Sequence, residues 1–181
     1  DVRDKAAVFQ AVDSLPNAWK SIDLLVNNAG NAHGLDPVQT ASLEDWDAMI
    51  DGNVKGLMYV TKAVLPHMVA AKKGQIINLG SIAGKEVYPN GSVYCSSKAA
   101  VDFFTRGLRI DLNPLGIRVG AIHPGLVETE FSEVRFKGAQ KSGPLAVQTH
   151  ALDEGKAERR GNLNITQFLA CKVDFLGNFK G

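Results

Sequence analysis

Cysteine is scarce in these 181 residues: Cys95 and Cys171 are the only two, and neither has partners at metal-ligand spacing. Two thiols are too few for the disulfide framework of a small secreted domain, and a reducing cytoplasm is the expected location. Long apolar runs are also missing. None approaches the roughly 20 residues needed to span a bilayer, so no membrane partner is expected. Neither sign of charge is in excess, with 20 Lys+Arg against 19 Asp+Glu for a net of +1. Without a basic run to neutralise a row of phosphates, nucleic acid is not an expected partner either. The four histidines form no pair at zinc spacing, so no metal site is expected. Two glycosylation sequons, at Asn90 and Asn164, have no secretory signal to accompany them and are read as unused.

What is present is ordinary globular material, 45% apolar and 22% charged, which predicts folding. Asp1 and Val2 read as a strand end and Asp4 as a helix cap, because Val8, Phe9, Val12 and Leu15 then recur at helical spacing. Residues 22–26 form a short apolar run, the pattern of a strand covered on both faces of a parallel sheet. Ser42 to Asp45 resembles a capping box opening a long helical stretch that reaches Met68 and is interrupted at Gly52 and Asn53. Residues 75–79 predict a second strand, 94–113 a helix ended by Pro114 and Gly116, and 117–122 a third strand. Strands alternating with long helices predict a doubly wound α/β fold, a parallel sheet with helices on both faces and ligands at the carboxyl ends of the strands. Beyond Gly138 the pattern changes, and residues 139–181 form an unassigned tail.

Tyr94 and Lys98 stand four apart in the predicted helix, so both project from one face. With a pKa near 10, only about one tyrosine in a thousand is a phenolate at neutral pH. A nearby ammonium that lowers this by about three units supplies roughly 4 kcal/mol of differential stabilisation and makes the phenol a usable acid or base. Such a pair is by itself common on helix surfaces. Its context is a hydroxyl, Ser81, at the end of the preceding strand, where it can bond the same substrate oxygen.

Asn27, Asn28, Ala29 and Gly30 after a strand, Asn53 in the next helix, Ser81, Tyr94 with Lys98, and Pro124 to Thr129 follow one another in an order that resembles the short-chain dehydrogenase/reductase family. The resemblance covers residues 1–138 and implies a Rossmann-like oxidoreductase moving a hydride between NAD(P) and an alcohol or carbonyl substrate. It implies that Tyr94 is the acid/base, that Ser81 orients the substrate oxygen and that Asn53 supports a relay water. Lys98 would tune Tyr94 and hold the nicotinamide ribose. Asn27, Ala29 and Gly30 would lie on the adenosine side, with Asp1 and Val2 near the adenine. Gly30 has a physical reason too, since a backbone pressed on a cofactor has no room for a Cβ. Pro124, Gly125, Val127 and Thr129 would flank the nicotinamide. Residues 129–138 are similar to a branch acting on 3-hydroxy acids such as serine, which implies NADP, with NAD the alternative. There Arg135 or Lys137 would meet a substrate carboxylate or simply sit in solvent. The family usually assembles through its helices near residues 52–71 and 94–113, which implies a homo-oligomer, a dimer or tetramer. Cys95 reads as a packed thiol and His123 as structural.

The sequence departs from the family in lacking the G-x-G-x-x-G turn that receives the pyrophosphate on a helix N-terminus. The expectation is a partial member of the family, truncated at its N-terminal Gly-rich half, with little turnover of its own. A non-catalytic, oligomerising interaction module without cofactor binding is the competing expectation.

Overall fold

Asp4 caps the first helix, α1 (Lys5–Asp13), its carboxylate accepting the Ala7 N–H at 3.0 Å. That bond satisfies one of the donors that every helix start leaves orphaned. In the computed structural model, which describes residues 1–125, Val2 and Arg3 form a turn rather than the predicted strand end. The sheet of the described residues has no strand there to pair with, so an extended backbone would gain no ladder bonds. Ser42 caps α2 (Leu43–Ile50) by accepting the Asp45 N–H at 3.2 Å. The interruption predicted at Gly52 and Asn53 is a π-helical turn, Asp51–Gly56, after which α3 (Leu57–Ala71) resumes.

Three parallel strands follow one direction across the sheet: β1 (Leu24–Asn27), β2 (Gly74–Leu79) and β3 (Ile117–Ile122), in the order β1-β2-β3. The register sets Leu25 beside Ile76 and Ile76 beside Val119. Burial alternates along β2, with Gly74, Ile76 and Asn78 buried, so one face carries the core. Val64 and Met68 of α3, Ile76, Leu108 and Leu112 of α4 (Ser92–Leu112), Ile117 and Val119 form that core. Each such side chain removed from water contributes roughly 1.5–3 kcal/mol.

Both crossover helices therefore lie on the same face. This follows from the strand order, because two successive right-handed crossovers stepping the same way must fall on the same side of the sheet. Among the described residues these two crossovers cover one side of the Rossmann-like sheet, and Leu24 and Val26 of the first strand stay 38% and 36% exposed. Gly116, at φ +77°, turns the chain from the end of α4 into β3, where a Cβ would lie 2.5 Å from the Lys72 carbonyl oxygen. The carboxyl ends of all three strands gather at one edge of the sheet, where Asn27 lies beside Asn78, and Gly80 and His123, the residues after β2 and β3, meet.

Candidate active site

Tyr94 and Lys98 occupy the inward face of α4, 9% and 7% exposed. The Lys98 ammonium lies over the Tyr94 ring, 5.9 Å from its centroid, and donates to the Leu79 carbonyl at the end of β2 at 3.1 Å. Burial pushes the Lys98 pKa down to about 8, since a low-dielectric site penalises the charged form. An open cleft adjoins Tyr94, lined by His33, Asp36, Asp45, Trp46 and Ser92 among others.

Ser81 follows β2 by two residues and caps the short 3₁₀ turn Ile82–Gly84, its hydroxyl accepting the Ala83 N–H at 3.1 Å. That turn rests directly on α4. A Cβ on Gly84 would stand 2.7 Å from the Lys98 carbonyl carbon and oxygen, so only glycine lets the Ser81 corner meet the helix that carries Tyr94 and Lys98.

The π turn aims Asn53 inward, where it is 1% exposed. Such turns insert an extra residue and rotate the later side chains about the helix axis, and they are frequent at functional sites. Asn53 grips one stretch of backbone from both sides: its Oδ1 accepts the Asn31 N–H at 2.7 Å and its Nδ2 donates to the Asn31 carbonyl at 2.8 Å. The same Nδ2 reaches Ser97 Oγ at 3.0 Å. Gly30 is pressed against this group, for a Cβ there would lie 2.9 Å from Asn53 Oδ1 and 3.5 Å from Lys98 Nζ. The physical reason for glycine among the described residues is thus crowding by Asn53.

Other predicted site residues fall into different settings. Asn27 is buried, its amide nitrogen donating to Thr61 Oγ1 at 2.9 Å and Asn78 Oδ1 at 2.8 Å. Asn78 in turn donates to Thr105 Oγ1, which bonds the Val101 carbonyl. This buried ladder joins β1, β2, α3 and α4, and sequence reasoning missed its other members because Thr61, Asn78 and Thr105 are far apart in the chain. Ala29 is exposed beside Gly30. Asp1 pairs with Arg3, and Val2 lies under the π turn, where a Cβ on Gly56 would be 2.7 Å from its Cγ2. The Pro124 carbonyl accepts the Ile82 N–H at 3.1 Å, and Gly125 faces Ile82. Cys95 is a buried free thiol, as expected. Val127, Thr129, Arg135, Lys137, Cys171 and the tail lie outside the described residues. Asp102, a buried carboxylate bonded to Lys85 and Arg106 and facing His123, was not singled out from the sequence, where it reads as one more charge on a helix.

A parallel sheet with crossover helices, and a tyrosine, lysine, serine and asparagine drawn together near its carboxyl edge, define a Rossmann-like α/β protein. The chain belongs to the short-chain dehydrogenase family of oxidoreductases, whose model matches residues 1–140. Similar proteins include the NADP-dependent 3-hydroxy acid dehydrogenase YdfG of Salmonella typhi, 53% identical over 84% of this chain and 62% of that protein. Sulfoacetaldehyde reductase 2 of Chromohalobacter salexigens is 50% identical over 77% of this chain and 56% of that protein. Among solved structures, the closed form of serine dehydrogenase complexed with NADP+ superposes with a TM-score of 0.80 at 45% identity, covering 99% of this chain and 68% of that one. Serine dehydrogenase from Escherichia coli gives a TM-score of 0.69 at 52% identity, covering 71% and 59%. The chain spans about three fifths of the length of the curated relatives it matches. Among the described residues, no helix is long and apolar enough to cross a membrane and no metal-ligating cluster exists.

Proposed function

We propose that residues 1–138 carry the catalytic part of an NADP-dependent oxidoreductase of a reducing cytoplasm, acting on the hydroxyl of a 3-hydroxy acid such as serine. The observation that carries this reading is the packing of Ser81's turn against the helix that presents Tyr94 and Lys98 from one buried face. The residues fit the ribose end of a nicotinamide nucleotide. A lysine ammonium has three donors, and the buried Lys98 spends one on the Leu79 carbonyl, leaving two for a hydroxyl-rich ligand.

When bound, the nicotinamide supplies hydride chemistry. This chain's residues supply the proton and the alignment. Tyr94 takes the proton of the substrate hydroxyl during oxidation and returns it during reduction. Lys98, with a pKa of about 8, is still mainly ammonium at pH 7 and favours the phenolate above which it lies. Ser81 offers its hydroxyl proton to the same substrate oxygen. Asn53, bonded to Asn31 and Ser97, braces the backbone beneath Lys98 and supports a water through which the proton leaves. On the family resemblance alone we assign Asp1, Val2, Asn27, Ala29 and Gly30 to the adenosine side, Asn27 from within its buried ladder, and Pro124, Gly125, Val127 and Thr129 to the nicotinamide side.

The test is fluorescence titration of the folded chain with NADPH and NADH, followed by turnover on serine and related 3-hydroxy acids. Saturable binding favouring NADPH is expected. In a reconstructed full-length chain carrying the Gly-rich turn, Tyr94→Phe should lower kcat by at least 100-fold with an unchanged circular dichroism spectrum, and undiminished turnover would reject its role. A folded oligomer that binds neither nucleotide would instead favour the interaction module.

A further inference from the structure

We infer that Asp102 and His123 are positioning residues for the Ser81 hydroxyl, an inference that rests on reading Ser81 as the group that orients the substrate oxygen. Asp102 lies four residues beyond Lys98 and eight beyond Tyr94, so the three share one face of α4, and it is 6% exposed. A carboxylate this dry is costly unless it is paired. Here both oxygens are engaged. Oδ2 takes Lys85 Nζ at 2.6 Å and Arg106 Nη2 at 2.8 Å, while Oδ1 faces His123 Nε2 at 3.3 Å. Burial pushes the Asp102 pKa up, but the Lys85 hydrogen bond and the charges of Lys85, Arg106 and His123 outweigh it and hold the carboxyl below its ordinary range. Lys85 and Arg106 are largely in solvent; His123 is the partner that faces inward.

His123 is the residue after β3, and its ring lies against Gly80, the residue after β2. A Cβ on Gly80 would be 2.5 Å from His123 Nδ1 and 2.8 Å from its Cε1. The same Nδ1 faces the Ser81 carbonyl at 3.4 Å, a carbonyl that also accepts the Gly84 N–H at 3.0 Å. The two strand ends are stitched further by the Gly80 N–H to the Ile122 carbonyl and the Ile82 N–H to the Pro124 carbonyl. The Ser81 hydroxyl uses a lone pair on the Ala83 N–H, and its proton meets no acceptor among the described residues. Its direction is therefore set by the peptide on which it stands, and that peptide is held by the His123 ring, whose two nitrogens donate to the Ser81 carbonyl and to Asp102 Oδ1 together only as the imidazolium. Asp102 stabilises the helix face through Lys85 and Arg106 and the substrate-facing corner through His123.

The experiment compares His123→Phe, which keeps a ring without nitrogens, His123→Gln, whose amide can donate to the Ser81 carbonyl, and Asp102→Asn. The first readout is hydrogen exchange of the Ala83 amide, the donor to Ser81 Oγ, against amides inside β2. We expect exchange at Ala83 at least tenfold faster in His123→Phe, a smaller increase in Asp102→Asn, recovery in His123→Gln, and unchanged β2 amides. No change at Ala83, or equal acceleration throughout β2, would overturn the inference. The second readout is turnover of a reconstructed full-length chain carrying the Gly-rich turn, in a double-mutant cycle with Ser81→Ala. His123→Phe should lower kcat about tenfold with the nucleotide KM unchanged, and should cost nothing further once Ser81 is alanine. Additive losses would refute positioning through Ser81 while leaving the role of Ser81 intact. Undiminished kcat in Ser81→Ala would instead reject that role, and the exchange data would judge the positioning independently.

Discussion

Lys98 combines two demands that oppose each other. The proposed chemistry calls for a cation beside the Tyr94 ring, and the fold buries the amine that would supply it. Its pKa falls from 10.5 to about 8, so between those values the unfolded chain binds more protons than the folded one, and stability rises with pH across that window. Below about pH 8 the folded state bears the full penalty, on the order of 3 kcal/mol. Lys98→Met should therefore melt at a higher temperature than the parent at pH 7, and the difference should shrink as pH rises from 8 to 10. Calorimetric melting of both chains at several pH values measures this, and a pH-independent difference would contradict it. The gain in stability should come with lost turnover, as when a strained site is relaxed. At this scale Tyr94, Lys98 and Ser81 were marked as candidates by spacing or by a strand end, and Asn53 by the family resemblance. The sequence was silent on Asp102 and on the ladder of Asn27, Asn78 and Thr105, whose meaning is the identity of the partner across space.

Between elements, the critical contact is the 3₁₀ turn Ile82–Gly84 against α4. At Gly84 the neighbours a Cβ would strike are the Lys98 backbone carbon and oxygen at 2.7 Å, which cannot swing aside as a flexible side chain can. Gly84→Ala should force the turn outward and cost roughly 1–3 kcal/mol, the usual penalty of overpacking. Thermal unfolding should show a drop on the order of 5 °C. The kcat should fall further than stability alone requires, because Ser81 moves away from Tyr94. Wild-type melting and kinetics would mean that this contact positions nothing. The element pattern itself was legible, because caps at Asp4 and Ser42, the stops at Pro114 and Gly116 and the apolar runs of β2 and β3 are local signals. The first strand was less so: the apolar run begins at Ile22, but pairing with β2 holds Leu24–Asn27, since register and not hydrophobicity sets where the ladder starts.

Across the whole molecule, the outer side of α4 carries an exposed apolar stripe among its charged residues. Phe103 and Ile110, seven residues apart and so on one stripe, are 71% and 76% exposed, and Gly107 between them leaves open space for a close neighbour. A homo-oligomer joined through this face is expected, with Phe103→Asp and Ile110→Asp together shifting the chain to monomer in light-scattering measurements. A monomeric parent chain would rule this interface out.

By itself the sequence determined the alternation of strand and helix and the capping of α1 and α2 by Asp4 and Ser42, because these depend on neighbours within a few positions. Tertiary structure alone decided that both crossover helices share one face, that Gly30 exists to admit Asn53, and that Asp102 reaches His123 beneath Ser81. Those facts arise where segments distant in the chain are brought within van der Waals contact, and no local pattern of residue types encodes which segments will meet.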